Sequence, residues 1–162
     1  MIPPLRRRHN RFGVIFVRIL VINGPNLNLL GLREPEHYGT RTYADLVALC
    51  EHTAAEFGVS LECYQSNHEG DIVDKIQAAY GNFDGIVINP AAYTHTSVAI
   101  LDAVKAVQIP TIEVHITDPD TREDFRRISY IRAACAATVK GLGLEGYRKA
   151  MTDLVTLLQN KK

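Results

Sequence analysis

His95 and His115 each stand just past an apolar run, and Glu113 precedes His115 by two positions. Imidazole exchanges protons close to neutral pH, which suits it to general acid and base work. In an extended strand, residues i and i+2 point to one face, so Glu113 can orient His115 or keep it protonated. Either histidine alone reads as a hydrogen-bonded structural residue. Two at neighbouring strand ends, one with an acidic partner, read as chemistry. The rival use of His68, His95, Glu113 and His115 is a metal site. The chain has no HExxH and no Cys/His spacing of a known metal site, so no metal is expected.

Amides, a phenol and several guanidinium groups accompany them. Polar segments follow apolar runs at Asn23–Asn28, Gln65–Gly70, Asn89–Ser97 and Glu113–His115. Asn26 and Asn89 offer amide donors and acceptors. The plainer use of Asn23–Asn28 is a turn whose asparagines satisfy their own backbone. Neither GxxxxGK[ST] nor GxGxxG follows the first apolar run, which removes two common phosphate-binding loops. Arg33, Tyr38, Arg41, Arg122, Arg126 and Arg127 fall in or beside loops. They read as a solvated basic rim, or as the grip on an anionic substrate with an arginine acting on Tyr38. A phenol titrates near ~10 and must drop by roughly 2–3 units, or ~3–4 kcal/mol, to act as a base near neutrality. One guanidinium at about 4 Å supplies up to ~4 kcal/mol at an effective dielectric of ~20.

Such residues need elements that bring them together. Val17–Ile22 is short, β-branched and apolar, as a strand buried on both faces requires. A polar loop follows to about Arg41, long enough to suggest a functional lid. Thr42–Phe57 carries Leu46, Leu49, Cys50, Ala54 and Phe57 at helical spacing, with Thr42 and Asp45 as a capping pair and Gly58 as a stop. Further strands are expected at Val59–Tyr64, Gly85–Ile88, Pro110–Val114 and Cys135–Val139. Helices are expected at Asp71–Tyr80, Thr96–Val107, Thr121–Ile128 and Leu144–Leu158. Alternation of this kind predicts an α/β doubly wound domain with a five-stranded parallel sheet, order 2-1-3-4-5, and helices on both faces. All strand carboxyl ends then share one edge, where ligands bind in the crevice. The first and third strands are neighbours at the switch point, and the loops after them carry Asn26 and Asn89.

The chain of 162 residues has 18 basic and 18 acidic side chains, which gives no reason to expect nucleic acid as a partner. Residues 1–16 hold Arg6, Arg7, Arg8 and Arg11 and no acid, leaving 14 basic against 18 acidic residues, a net −4, over the remainder. This stretch fits neither a secretory signal nor an organelle transit peptide. It is expected to be a disordered basic extension before one catalytic domain, 17–162, with Val17 as an alternative start should the gene initiate on a valine codon. Cys50, Cys63 and Cys135 form no CxxC and sit in apolar patterns. They read as reduced core residues of a cytoplasmic protein. No run approaches the ~18 apolar residues of a membrane span.

At these residues the chain closely resembles type II 3-dehydroquinate dehydratase, also called type II dehydroquinase. The blocks that carry the resemblance run from about Arg18 to Lys149: INGPNLNLLGLREPEHYG, QSNHEGDIVDKI, GIVINPAAYTHTSVAILDAV, IPTIEVHI, and REDFRRISYI with GLGLEGY. Their length, order and spacing are far more specific than any short motif. The resemblance implies a flavodoxin-like fold and a homo-dodecamer built as a tetramer of trimers. It implies dehydration of 3-dehydroquinate to 3-dehydroshikimate by anti elimination through an enolate, without metal or cofactor. The reaction serves the shikimate pathway to aromatic amino acids, or quinate catabolism.

Carried over residue by residue, the resemblance makes Tyr38 the base at C2 and Arg33 its companion on the lid. Arg122 would lower the Tyr38 pKa, and Asn26 would hold the water that stabilises the enolate oxygen. His115, supported by Glu113, would protonate the departing hydroxyl. Asn89 and the backbone N–H groups of Ile116 and Thr117 would bind the carboxylate. His95 and Arg126 would grip ring hydroxyls, and Asp102 would reach a neighbouring subunit's site. Two stretches depart from the family pattern: Thr117-Asp118-Pro119-Asp120, where Ser-Asn is usual, and Arg132-Ala133, where Ser-Pro is usual. Asp118 adds negative charge near a carboxylate site unless it turns away or is paired. Two other readings use the same fold: an FMN- or phosphate-binding module, and a metal-dependent hydrolase. The first leaves the paired histidines and Tyr38 unused.

Overall fold

A computed structural model describes residues 16–32 and 40–160. Five strands form one parallel sheet: β1 (Arg18–Asn23), β2 (Ser60–Gln65), β3 (Gly85–Asn89), β4 (Thr111–His115) and β5 (Ala137–Lys140). Their order is β2-β1-β3-β4-β5. Among the described residues four α-helices accompany them: α1 (Tyr43–Phe57), α2 (Glu69–Ala79) and α3 (Val98–Val107) between strands, and α4 (Glu145–Asn160) after β5. The side-chain period of two divides β1 between the two faces of the sheet. Ile19 and Val21 pack with Leu46 and Cys50 of α1 and Met151 and Leu154 of α4. Leu20 and Ile22 pack with Ile72 and Ile76 of α2 and Ile100 and Val104 of α3. The sheet is thus covered on both sides, as expected. Each fully buried aliphatic side chain of this kind contributes roughly 1.5–3 kcal/mol by leaving water.

Helix ends follow the capping residues. The Thr42 hydroxyl accepts the Asp45 N–H at 3.3 Å, and the Asp45 carboxylate accepts the Thr42 N–H at 2.7 Å. Gly58, at φ 63°, closes α1 in the left-handed conformation that glycine adopts without strain. Ser97 caps α3 by accepting the Ile100 N–H at 2.9 Å, so α3 starts two residues inside the expected Thr96–Val107. Residues Ala91–His95 instead form a 3-10 turn. The α2 helix begins at Glu69, two residues before the expected Asp71.

One expected helix does not form. Thr121–Ile128 is two 3-10 turns, Pro119–Thr121 and Asp124–Arg127, with Arg122 extended between them (φ −104°, ψ −155°). Asp118 is the cause. Its carboxylate accepts the Asp120 N–H at 3.0 Å, and its carbonyl accepts the Thr121 hydroxyl at 2.8 Å. These bonds close a turn on Thr121, which therefore ends a helical segment rather than starting one. The loop after β1 also holds order that periodicity does not show: Leu27–Leu29 is a 3-10 turn with Leu27 buried.

Register aligns the polar strand ends. Asn23 pairs with Gln65 of β2 on one side and Asn89 of β3 on the other. The loops beyond meet backbone to backbone: the Gly24 N–H donates to the Asn89 carbonyl at 2.8 Å. A Cβ at Gly24 would lie 2.3 Å from the Pro90 carbonyl oxygen, so only glycine fits there. No helix is long and apolar enough to cross a membrane among the described residues. Residues 1–15 of the expected extension lie outside the described residues.

Candidate active site

The cleft lies where the carboxyl ends of β1, β3 and β4 meet. It holds about 740 Å³ of empty space, its open mouth included. Asn26 and Asn89 line it from the β1 and β3 loops, and His95 from the turn after Asn89. His115, Ile116 and Thr117 line it from the end of β4, and Arg122 and Arg126 from the 3-10 turns. Eight expected site residues therefore share one cavity. Glu113 lies behind His115 with no exposure. Asp102 is exposed on α3 and does not line the cleft. Arg33 and Tyr38 lie outside the described residues.

His115 Nε2 sits 2.8 Å from Glu113 Oε1. A carboxylate only accepts, so Nε2 carries a proton and Nδ1 is left to serve a ligand. The Ser129 hydroxyl donates to the same oxygen. The Thr138 hydroxyl donates to Oε2 at 2.8 Å, and Arg132 Nε approaches it at 3.4 Å. Burial pushes the Glu113 carboxyl up, but the hydrogen bond and charge of His115, with the Ser129 and Thr138 hydroxyls, outweigh it and hold it at about 2. Glu113 is thus a fixed anion behind the imidazole.

His95 is arranged differently. Its Nδ1 lies 2.6 Å from the Ile128 carbonyl, which makes Nδ1 the donor. Burial pulls its pKa below the usual value, and the Ile128 carbonyl only partly opposes this. His95 is therefore neutral near neutral pH, with a lone pair on Nε2 that can accept a hydroxyl proton.

Asn89 is 4% exposed. Its Oδ1 accepts the Ala91 N–H at 3.1 Å, and its Nδ2 donates to the Tyr147 hydroxyl at 2.9 Å. The Tyr147 hydroxyl donates onward to Asn23 Oδ1 at 2.6 Å. One Asn89 N–H remains for a ligand. Periodicity puts Tyr147 on the buried face of the last helix but gives it no role. Its signal is chemical: a phenol in an apolar stripe needs a polar partner, here 58 and 124 residues away in the chain. Ser129 and Thr138 were likewise missed, because nothing local marks them as partners of Glu113.

Asn26 adopts φ 66°, a conformation asparagine tolerates better than most residues. Its N–H donates to Asn67 Oδ1 at 2.9 Å. Gln65 Nε2 donates to the Gly24 carbonyl at 3.2 Å. The β1 turn is held across strands, with Asn28 Oδ1 also accepting from Gln65 Nε2 at 3.4 Å and no side-chain cap from Asn26.

Charge in the cleft is positive. Arg122 and Arg126 flank Glu123, with Arg126 Nε 2.7 Å from its carboxylate, and among the described residues no carboxylate lines the cavity. Asp118 turns away: its carboxylate meets Lys140 Nζ at 3.0 Å, and Lys140 also bonds Asp120. The Lys140 hydrogen bond holds the Asp118 carboxyl below the usual range. The extra charge of this departure is therefore paired with Lys140 outside the cavity. Among the described residues no three His, Cys, Asp or Glu side chains are grouped to hold a metal ion.

The chain is similar to known proteins over most of its length. Residues 17–155 match the family model for dehydroquinase class II. The chain is 54% identical to a catabolic 3-dehydroquinase of Aspergillus oryzae, over 89% of this chain and 94% of that one. It is 52% identical to a 3-dehydroquinate dehydratase of Corynebacterium glutamicum, over 86% and 97%. The fold superposes on the type II dehydroquinase of Butyrivibrio crossotus with a TM-score of 0.85 at 51% identity, covering 86% of this chain and 98% of that one.

Proposed function

This chain belongs to the dehydroquinase class II family, and on that premise we propose that it is a 3-dehydroquinate dehydratase, a hydro-lyase that forms 3-dehydroshikimate and water. The observation that carries the reading is the buried Glu113–His115 pair opening onto a cleft lined by arginines and amides.

The elimination needs a base at C2, stabilisation of an enolate oxygen and an acid for the departing hydroxyl. His115 is the acid: Glu113 supplies the counter-charge on Nε2, and Nδ1 gives the proton. Asn26 holds the water that stabilises the enolate oxygen. The free Asn89 N–H, with the backbone N–H groups of Ile116 and Thr117, receives the carboxylate. Neutral His95 accepts from a ring hydroxyl, and Arg126 grips another. Tyr38 is the base, with Arg33 and Arg122 sustaining the phenolate. The position of the chain around them supports this. Gly31 packs against Thr40, with its would-be Cβ 3.1 Å from the Thr40 carbonyl oxygen, and Leu30 lines the cleft. The described ends of the stretch that carries Arg33 and Tyr38 therefore lie close together, next to Leu30 of the cleft wall. Base and acid on opposite faces of the ring give anti geometry.

The chain acts as a homo-dodecamer of one catalytic domain each, residues 17–162, in the cytoplasm. Asp102, exposed and off its own cleft, is suited to reach a neighbouring copy's site. The exposed Val98, Phe125 and Ile128 suit a covered face.

The deciding assay offers 3-dehydroquinate with EDTA present and follows the conjugated enone in the ultraviolet. Absorbance should rise at the same rate with and without chelator. No rise would overturn the reading, and loss of activity only with EDTA would favour a metal-dependent enzyme. A yellow purified protein would point to the FMN-binding alternative.

A further inference from the structure

Glu113 uses both of its oxygens. Oε1 takes the imidazole and Ser129, while Oε2 takes Thr138 at 2.8 Å and the Arg132 guanidinium at 3.4 Å. Arg132 holds the cluster a second time, because its backbone N–H donates to the Ser129 hydroxyl at 3.3 Å. Rotating the carboxylate away from His115 would break contacts on both oxygens at once. The charges are unequal as well: one buried carboxylate faces a permanent guanidinium and, in the acid form of the site, an imidazolium.

We propose that Arg132 is a positioning residue for the proton donor: it anchors the outer oxygen of Glu113 and adds a second positive charge that makes protonated His115 a readier donor to the leaving hydroxyl. The inference rests on the dehydratase reading above. Arg132 does not line the cleft; it acts by holding Glu113 and by its charge. Removing the guanidinium takes away a repulsion between two cations, and that change is what the variants below are chosen to read. Its side chain is 39% exposed, so solvent screens part of the effect.

Other charged groups surround the pair. His95 and Arg126 face it from the cleft side, and Arg122 from the turn before. Lys140 follows Thr138 on β5 and is occupied by Asp118 and Asp120. Cys135 packs against Glu113, with its thiol pushed up by burial to about 12, and stays neutral through the working range. The Arg132 charge also reaches Asp118 and Cys135, but the first stays ionised and the second neutral through the working range, so neither supplies a limb of its own.

The test compares R132M, which keeps the stem and loses the charge, R132K, which keeps a charge, and R132A, in case R132M folds poorly. The pH profile of kcat on 3-dehydroquinate is recorded for each. The basic limb should move to higher pH by roughly half a unit or more in R132M and R132A and stay near wild type in R132K. Urea unfolding at neutral pH supplies an arm that needs no turnover. R132M should lower the midpoint in the wild-type background and leave it unchanged in the E113Q background. An unmoved limb in R132M and R132A, an equal shift in R132K, or the same midpoint loss in both backgrounds would each overturn the proposal. A wild-type protein that does not turn over 3-dehydroquinate would instead sink the dehydratase reading, while the unfolding cycle still judged the Arg132–Glu113 coupling.

Discussion

A carboxylate shut away from water survives as an anion only if donors replace the water, and Glu113 draws them from His115, Ser129, Arg132 and Thr138. Its carboxyl is held at about 2, against an ordinary 4.5. A lowered folded-state pKa stabilises the fold fully above the ordinary value, and that stabilisation is lost as pH falls from there through the folded value. A gap of this size corresponds to about 3 kcal/mol. Between about pH 5 and about pH 2.5 the urea midpoint of the wild type should therefore fall more steeply than that of Glu113→Gln. Parallel curves would show that the donors do not hold Glu113 ionised. His115→Ala should slow water loss more than proton exchange at C2, whereas Tyr38→Phe should slow both. Equal losses of both steps in His115→Ala would argue against its role as the acid.

At the scale of elements, α4 reaches the chemistry through one hydroxyl. Tyr147 is fully buried and ties Asn23 at the end of β1 to Asn89 at the end of β3. Burial pushes its phenol well above the usual range, so it remains a neutral donor. Tyr147→Phe leaves Asn23 Oδ1 and an Asn89 N–H without that partner, in a site with little room for water. The expected cost is ~1–3 kcal/mol of stability, with KM raised several-fold and kcat changed less, since the Asn89 amide edge is no longer fixed. A KM equal to wild type would show that Asn89 needs no such support. The turn that replaces the expected helix after Thr121 belongs to the same scale. Asp118 closes it, and in doing so Asp118 meets Lys140 and leaves the cleft to Arg122 and Arg126.

For the whole molecule, the neighbouring copy matters most. Asp102 lies on a helix surface away from its own cleft, so its contribution to catalysis depends on assembly. Light scattering should give a mass near twelve chains. Asp102→Ala should lower kcat/KM without changing that mass if the carboxylate serves a neighbour's site. A fully active monomer would remove both the dodecamer and the role of Asp102.

The order of strands and helices was legible in the sequence because apolar periodicity and caps such as Thr42–Asp45 are local, and burial follows directly from them. The pairing of Glu113 with His115 was legible for the same reason: two positions apart on a strand is a fixed geometry. The family blocks singled out the polar residues, and only folding put Asn26, Asn89, His95, His115 and Arg126 around one cavity, since parallel register is what lines up strand ends far apart in the chain. Thr121–Ile128 departs from the expected helix because the Asp118 side chain, as a cap, competes with helix propensity over a few residues. Tyr147, Ser129, Thr138 and Arg132 needed the tertiary structure, because a hydrogen-bond partner across the sheet or from the opposite layer leaves no period or spacing in the chain itself.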